Sequence, residues 1–132
     1  MTCDSASAAR ELLAKLEEHL ATHDLERILD LFTDDVVLIG DSVENFDRDS
    51  TVAYLKLMAD MAPTVRWEWD RVSVQLASEE ALCFAAAGTM TFYDESQEAL
   101  GEGSRFRVTC LAVATPAGWR LRHFHGSAPQ AD

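Results

Sequence analysis

Ala81-Leu82-Cys83-Phe84-Ala85-Ala86-Ala87-Gly88-Thr89-Met90-Thr91-Phe92-Tyr93 reads as one long strand with no side built for water. A half-exposed antiparallel strand alternates apolar with polar, and this one does not. The segment 104–114 behaves in the same way. Phe106, Val108, Cys110 and Ala112 fall on one face and Thr109, Leu111 and Val113 on the other. A sheet made of such strands needs a cover on both sides.

The strands on either side complete the sheet. Residues 65–74 alternate roughly by two, with Trp67 and Trp69 on one face, and 119–125 forms a last strand. The breaks fall at Ser78-Glu79-Glu80, at 94–103 and at Thr115-Pro116-Ala117-Gly118. Upstream the period is helical. Ala9, Leu12, Leu13, Leu16 and Leu20 mark a helix over 5–22. Asp24 caps a second, carrying Leu25, Ile28, Leu29 and Phe32 and ended by Thr33-Asp34-Asp35. Val36-Val37-Leu38-Ile39 is a short strand, Gly40-Asp41-Ser42 a turn, and 43–48 a loop. Asp49 or Ser50 caps a third helix through Val52, Leu55, Met58 and Met61, with Pro63 just past its end.

Helices gathered ahead of strands give an α+β layer, with three N-terminal helices against a curved antiparallel sheet. The helices cover one face. The other face goes to a second copy of the chain, making a homodimer or higher homo-oligomer, or to terminal residues and loops folding back.

Composition sets the outer bounds. The 132 residues suit a single domain, with a core over about 6–129. The net charge of −12 argues against nucleic acid and anionic membranes as partners. No apolar run reaches membrane-spanning length, and the N-terminus is not that of a signal peptide. Cys3, Cys83 and Cys110 are odd in number and lack metal-ligand spacing, which fits a reducing, cytoplasmic setting with neither metal nor cofactor. Nucleophile elbow, P-loop and dinucleotide fingerprint are all absent.

Two motifs carry a family resemblance. Asp24-Leu25-Glu26 followed by Leu31-Phe32-Thr33-Asp34-Asp35-Val36 resembles the entry of SnoaL-like domains, members of the nuclear transport factor 2-like superfamily. Gly118-Trp119-Arg120-Leu121-Arg122-His123-Phe124-His125-Gly126-Ser127-Ala128-Pro129 resembles their close. It is similar above all to the association domain of calcium/calmodulin-dependent kinase II, but lacks the glycine which that domain carries between the serine and the alanine. The resemblance implies a cone-shaped, usually dimeric fold with an internal cavity. The superfamily includes isomerases, cyclases, dehydratases, transport adaptors and oligomerising domains, so fold alone names no activity. Ketosteroid isomerases place an Asp base where this chain has Gly40, next to Asp41, and an oxyanion Tyr near Leu16; both departures argue against steroid-type isomerisation.

The candidate site rests on a local reversal of charge. Residues 105–125 hold Arg105, Arg107, Arg120, Arg122, His123 and His125 with no acid. Strict alternation puts Trp119, Leu121, His123 and His125 on one face; if Trp119 and Leu121 meet the helices, both histidines enter the cavity as candidate acid/base groups. Their structural alternative is a hydrogen-bonded pair fixing the last strand. Arg107 is expected in the cavity as a carboxylate or phosphate clamp, or else paired with Glu68, Asp70 or Glu44. Tyr93, Tyr54, Trp67 and Trp69 can wall the site or hydrogen-bond in it, with plain core or seam as their alternative. Two functions stay open: a self-associating ligand-binding domain with a polar, anion-accepting cavity, or a small isomerase, cyclase or dehydratase acting on a hydrophobic carboxylate or polyketide-like compound.

Overall fold

The computed structural model describes residues 4–60 and 63–129. Cys3 and Met61 lie outside the described residues. Helix α1 (Ser5–Ala21) starts where the Asp4 carboxylate accepts from the Ala6 N–H, and it buries Ala9, Leu12, Leu13 and Leu16. Asp24 caps α2 (Leu25–Asp30) by accepting from the Arg27 N–H. The third helix, α3 (Arg48–Asp60), is capped by Asp47, which accepts from the Ser50 N–H at 2.8 Å. The cap thus lies two residues ahead of the expected Asp49.

Six strands follow or separate the helices: β1 (Phe32–Ile39), β2 (Glu44–Asn45), β3 (Thr64–Ala77), β4 (Ala81–Tyr93), β5 (Ser104–Thr115) and β6 (Gly118–Ser127). They form one open sheet in the order β2-β1-β6-β5-β4-β3. The expectation of a purely antiparallel sheet is corrected, because β1 pairs with β6 in parallel. That strand begins at Phe32, earlier than expected, and Phe32 leaves the helix to lie buried opposite Leu121. Arg48 of α3 donates to the carbonyls of Phe32 and Thr33 and ties helix to strand.

Bulges decide which side chains face the helices. The β3–β4 register slips at Asp70 and again near Gln75, and the β5–β6 register slips at Arg122. Trp67 and Trp69 therefore share the inner face with Val72 and Val74 despite the change of parity. With Leu82, Phe84, Ala86, Val108, Cys110, Ala112, Leu121 and Phe124 they pack on α1 to form the core. Full burial of a side chain such as Phe84 contributes about 1.5–3 kcal/mol.

Part of the exposed edge of β3 is covered by α1. Glu17 of α1 accepts from the Trp67 backbone N–H, and Arg10, two turns earlier, donates to the Trp69 carbonyl at 3.2 Å. Two charged side chains of one helix thus satisfy edge groups that would otherwise invite another strand.

Candidate functional site

Between α1, α3 and the inner face of the sheet lies a cavity of about 430 Å³. Its wall comes from the ends of elements that converge there. α1 supplies Leu16 and Leu20, and α3 supplies Tyr54, Leu55 and Met58. β1 and β6 add Leu38, Phe124 and Gly126. β3, β4 and β5 contribute Val65, Trp67, Met90, Phe92 and Phe106. One wall is an aromatic stack: Trp67 lies over Phe106 at 6.0 Å and 11°, with Trp69 against both. Gly126 keeps the space open, since a Cβ there would lie 2.7 Å from the Phe106 ring.

Polar lining is sparse. Asp41 and Ser42, in the β1–β2 turn, and His23, after α1, are exposed and sit at the mouth. The Asp41 carboxylate accepts from the Ala128 N–H at 3.0 Å, joining that turn to the end of β6. His23 holds a left-handed backbone conformation (φ 56°) and its Nδ1 lies 2.8 Å from the Ala59 carbonyl. A carbonyl can only accept, so Nδ1 carries the proton. Deeper in the fold, Tyr54 is half-buried and burial raises its phenol above the ordinary value. Trp67 contributes an indole N–H that, among the described residues, is the one buried side-chain polar atom without a hydrogen-bond partner.

The expected cavity residues are mostly elsewhere. The bulge at Arg122 reverses parity after Leu121, so Phe124 and Gly126 face inward while His123 and His125 face outward. Trp119 and Leu121 do pack toward the core as expected. Burial and then the neighbouring His125 lower the pKa of His123. The two rings lie edge to face, 6.5 Å apart. Arg107 also points outward, exposed, and donates to Ser127 Oγ at 3.1 Å. The acid pairing considered for it belongs to Arg105 instead, bound by Asp70 at 2.6 and 3.1 Å. Tyr93 and Glu44 are not in the lining, and Trp69 backs the aromatic wall. Of the residues expected to wall the site, Trp67 and Tyr54 line the cavity.

The cavity is therefore not the polar, basic site expected. Among the described residues no Lys or Arg lines it, and most of its wall is hydrocarbon. Sequence reasoning missed His23 and Ser42 because only the closing of the fold brings those loops together. Among the described residues, no group of three His, Cys, Asp or Glu is placed to hold a metal. No described helix is long and apolar enough to cross a membrane.

The outer face of the sheet is the other notable surface. Across the strands runs the row Val37, His123, Leu111, Cys83 and Leu76, largely apolar and uncovered by any described element. Beside it run Thr109 and Ala85, then Arg107 and Ala87. Both described cysteines are free thiols, and burial pushes that of Cys110 far up.

The family model for SnoaL-like domains matches residues 9–131. No curated protein matches the chain. Solved structures resemble it in fold. A candidate calcium/calmodulin-dependent protein kinase II association domain from Xanthomonas campestris has a TM-score of 0.77 at 19% identity, covering 94% of this chain and 87% of that one. A candidate dehydratase of the NTF2-like family from Streptomyces avermitilis has a TM-score of 0.78 at 16% identity, covering 96% and 97%. An NTF2-like protein of unknown function from Pseudomonas putida KT2440 has a TM-score of 0.74 at 19% identity, covering 99% and 91%. At these identities the likeness is one of fold.

Proposed function

The chain belongs to the SnoaL-like domain family, and from that premise we propose that it binds a neutral, largely apolar small molecule and self-associates through its outer sheet face. The observation that carries the reading is the cavity: about 430 Å³, lined mostly by aromatic and aliphatic side chains, and without Lys or Arg among the described residues. That volume accommodates a compound of two or three rings, and burial of its apolar surface supplies the affinity. A carboxylate entering such a pocket loses its hydration and meets the Asp41 carboxylate at the mouth, with no guanidinium to offset either cost. This replaces the anion clamp expected of Arg107.

Self-association draws on the row Val37, Leu111, Cys83 and Leu76, where a second copy would cover apolar surface that the helices cannot reach. His123 then sits within that row, between Val37 and Leu111, with His125 and Arg107 bordering it. The likeness to a candidate association domain supports this reading. Free Cys83 and Cys110 fit a reducing, cytoplasmic setting.

The test is a melting-temperature screen paired with sedimentation. Neutral 2-ethylnaphthalene raises the melting temperature, and 2-naphthoate does so less or not at all. Greater stabilisation by the carboxylate would defeat the neutral-ligand reading. A strict monomer at micromolar concentration would defeat the seam.

A second reading keeps the same pocket and adds chemistry. Asp41 is a carboxylate on the cavity lining, one residue beyond the position where isomerases of this fold carry a base. A proton-transferring isomerase, cyclase or dehydratase would use it, with the likeness to a candidate dehydratase in support. Deuterium exchange beside the carbonyl of a bound ketone, lost in Asp41→Asn, distinguishes an enzyme from a binder.

A further inference from the structure

We propose that Gly126 sets the size of ligand that the cavity admits: carrying no side chain, it lets the Phe106 ring rest against the β6 backbone, and the room left beside that ring takes the ligand's second ring. The inference rests on the reading of the cavity as a small-molecule site and goes further, to the residue pair that fixes its width.

A glycine inside a strand weakens the strand and marks a place where a neighbour comes close to the backbone. Gly126 is buried in β6 and lines the cavity with backbone atoms alone, having no others. Its φ is not positive, unlike that of Gly101 and Gly118, so the conformation does not call for glycine. The space does. A Cβ at this position would lie 2.7 Å from Cζ of Phe106 and 3.2 Å from the Phe124 ring. Both rings line the cavity as well.

The Phe106 ring has no second place to rest. β6 lies on one side of its strand, and β4 and β3 on the other. Toward β3 the ring is already stacked with Trp67 at 6.0 Å and meets Trp69 at 6.2 Å. Gly88, paired with both Phe106 and Trp69, puts no side chain between those two rings. Phe124 is buried in the core and cannot yield without opening it. A methyl group on residue 126 therefore drives the Phe106 ring toward the one open side, the cavity. The displacement need not be large. An apolar pocket separates ligands that differ by one methylene by about 10–200-fold.

Ethylbenzene and 2-ethylnaphthalene carry the same substituent on one ring and on two. Both are titrated into wild type and Gly126→Ala, followed by the tryptophan fluorescence of the protein. Wild type should bind the two-ring probe more tightly, because it buries more apolar surface. Gly126→Ala should weaken 2-ethylnaphthalene by about tenfold or more and keep ethylbenzene within about threefold. Phe106→Leu removes the ring atoms that the new methyl would meet. In that background Gly126→Ala should cost the two-ring probe no more than about threefold. Equal losses for both probes, or an undiminished loss in the Phe106→Leu background, overturn the role of Gly126 and leave the cavity reading standing. Failure of both probes to bind wild type removes the cavity reading and this inference with it. Should Gly126→Ala fold poorly, Phe106→Leu alone decides. It should raise the preference for 2-ethylanthracene over 2-ethylnaphthalene by about tenfold, and an unchanged preference refutes the proposal.

Discussion

The Glu17 carboxylate on α1 accepts a hydrogen bond from the backbone N–H of Trp67 on β3. One residue of the first helix thereby fixes the edge strand and, through it, the aromatic wall of the cavity. A charge-assisted bond of this kind is worth about 1.5–3 kcal/mol. Glu17→Ala should lower stability by about 1–2 kcal/mol in urea unfolding, and Glu17→Gln, which keeps an acceptor, by less than half of that. Equal losses would mean that the acceptor does not matter.

Gly88 lies opposite Trp69, where β3 slips register at Asp70, and a Cβ at this point would overlap the Glu68 backbone. Gly88→Ala should cost about 2–3 kcal/mol through strand displacement. Gly101, whose added Cβ would meet nothing, is the contrasting position: with φ at 114° it should cost only the conformational strain of an L-residue there. Thermal unfolding of both variants checks the order.

His123 titrates below its ordinary value because it is part-buried, with His125 beside it. The unfolded chain then takes up this proton at higher pH than the folded one. The neutral ring's contribution is complete above about pH 6.5 and is lost as pH falls through the lowered folded value. Melting temperature should therefore drop between pH 7.5 and 5.5, and His123→Gln should reduce the drop. An unchanged slope in the variant would place the acid sensitivity elsewhere.

Arg107 and Leu111 lie on the outer face of the same strand, turned away from the cavity. Arg107→Ala should leave 2-ethylnaphthalene affinity within about twofold of wild type. Leu111→Arg should shift sedimentation toward monomer while also sparing that affinity. Loss of probe binding in Arg107→Ala would restore the arginine to the site.

Much of the fold was legible because periodicity reports burial. The helical repeat of Leu12, Leu13 and Leu16 and the two-sided strand 81–93 both appear as read. Face assignment failed where an extra residue enters a strand. Counting by two from Leu121 puts His123 inside, but Arg122 occupies a bulge and pairs with Asp35, so every residue after it changes sides. Nothing in the local residues marks that slip, because it is set by pairing with β5 and β1. The same holds for the parallel β1–β6 contact and for His23, whose place at the mouth depends on the end of α3.

The central claim is that the inner face holds the ligand and the outer face does not. Intermolecular nuclear Overhauser effects from 2-ethylnaphthalene to the methyl groups of the protein test it directly. The account predicts contacts to Met58, Met90 and Leu38, which line the cavity, and none to Ala85, Ala87 or Leu111. Contacts to the second set without the first would contradict it.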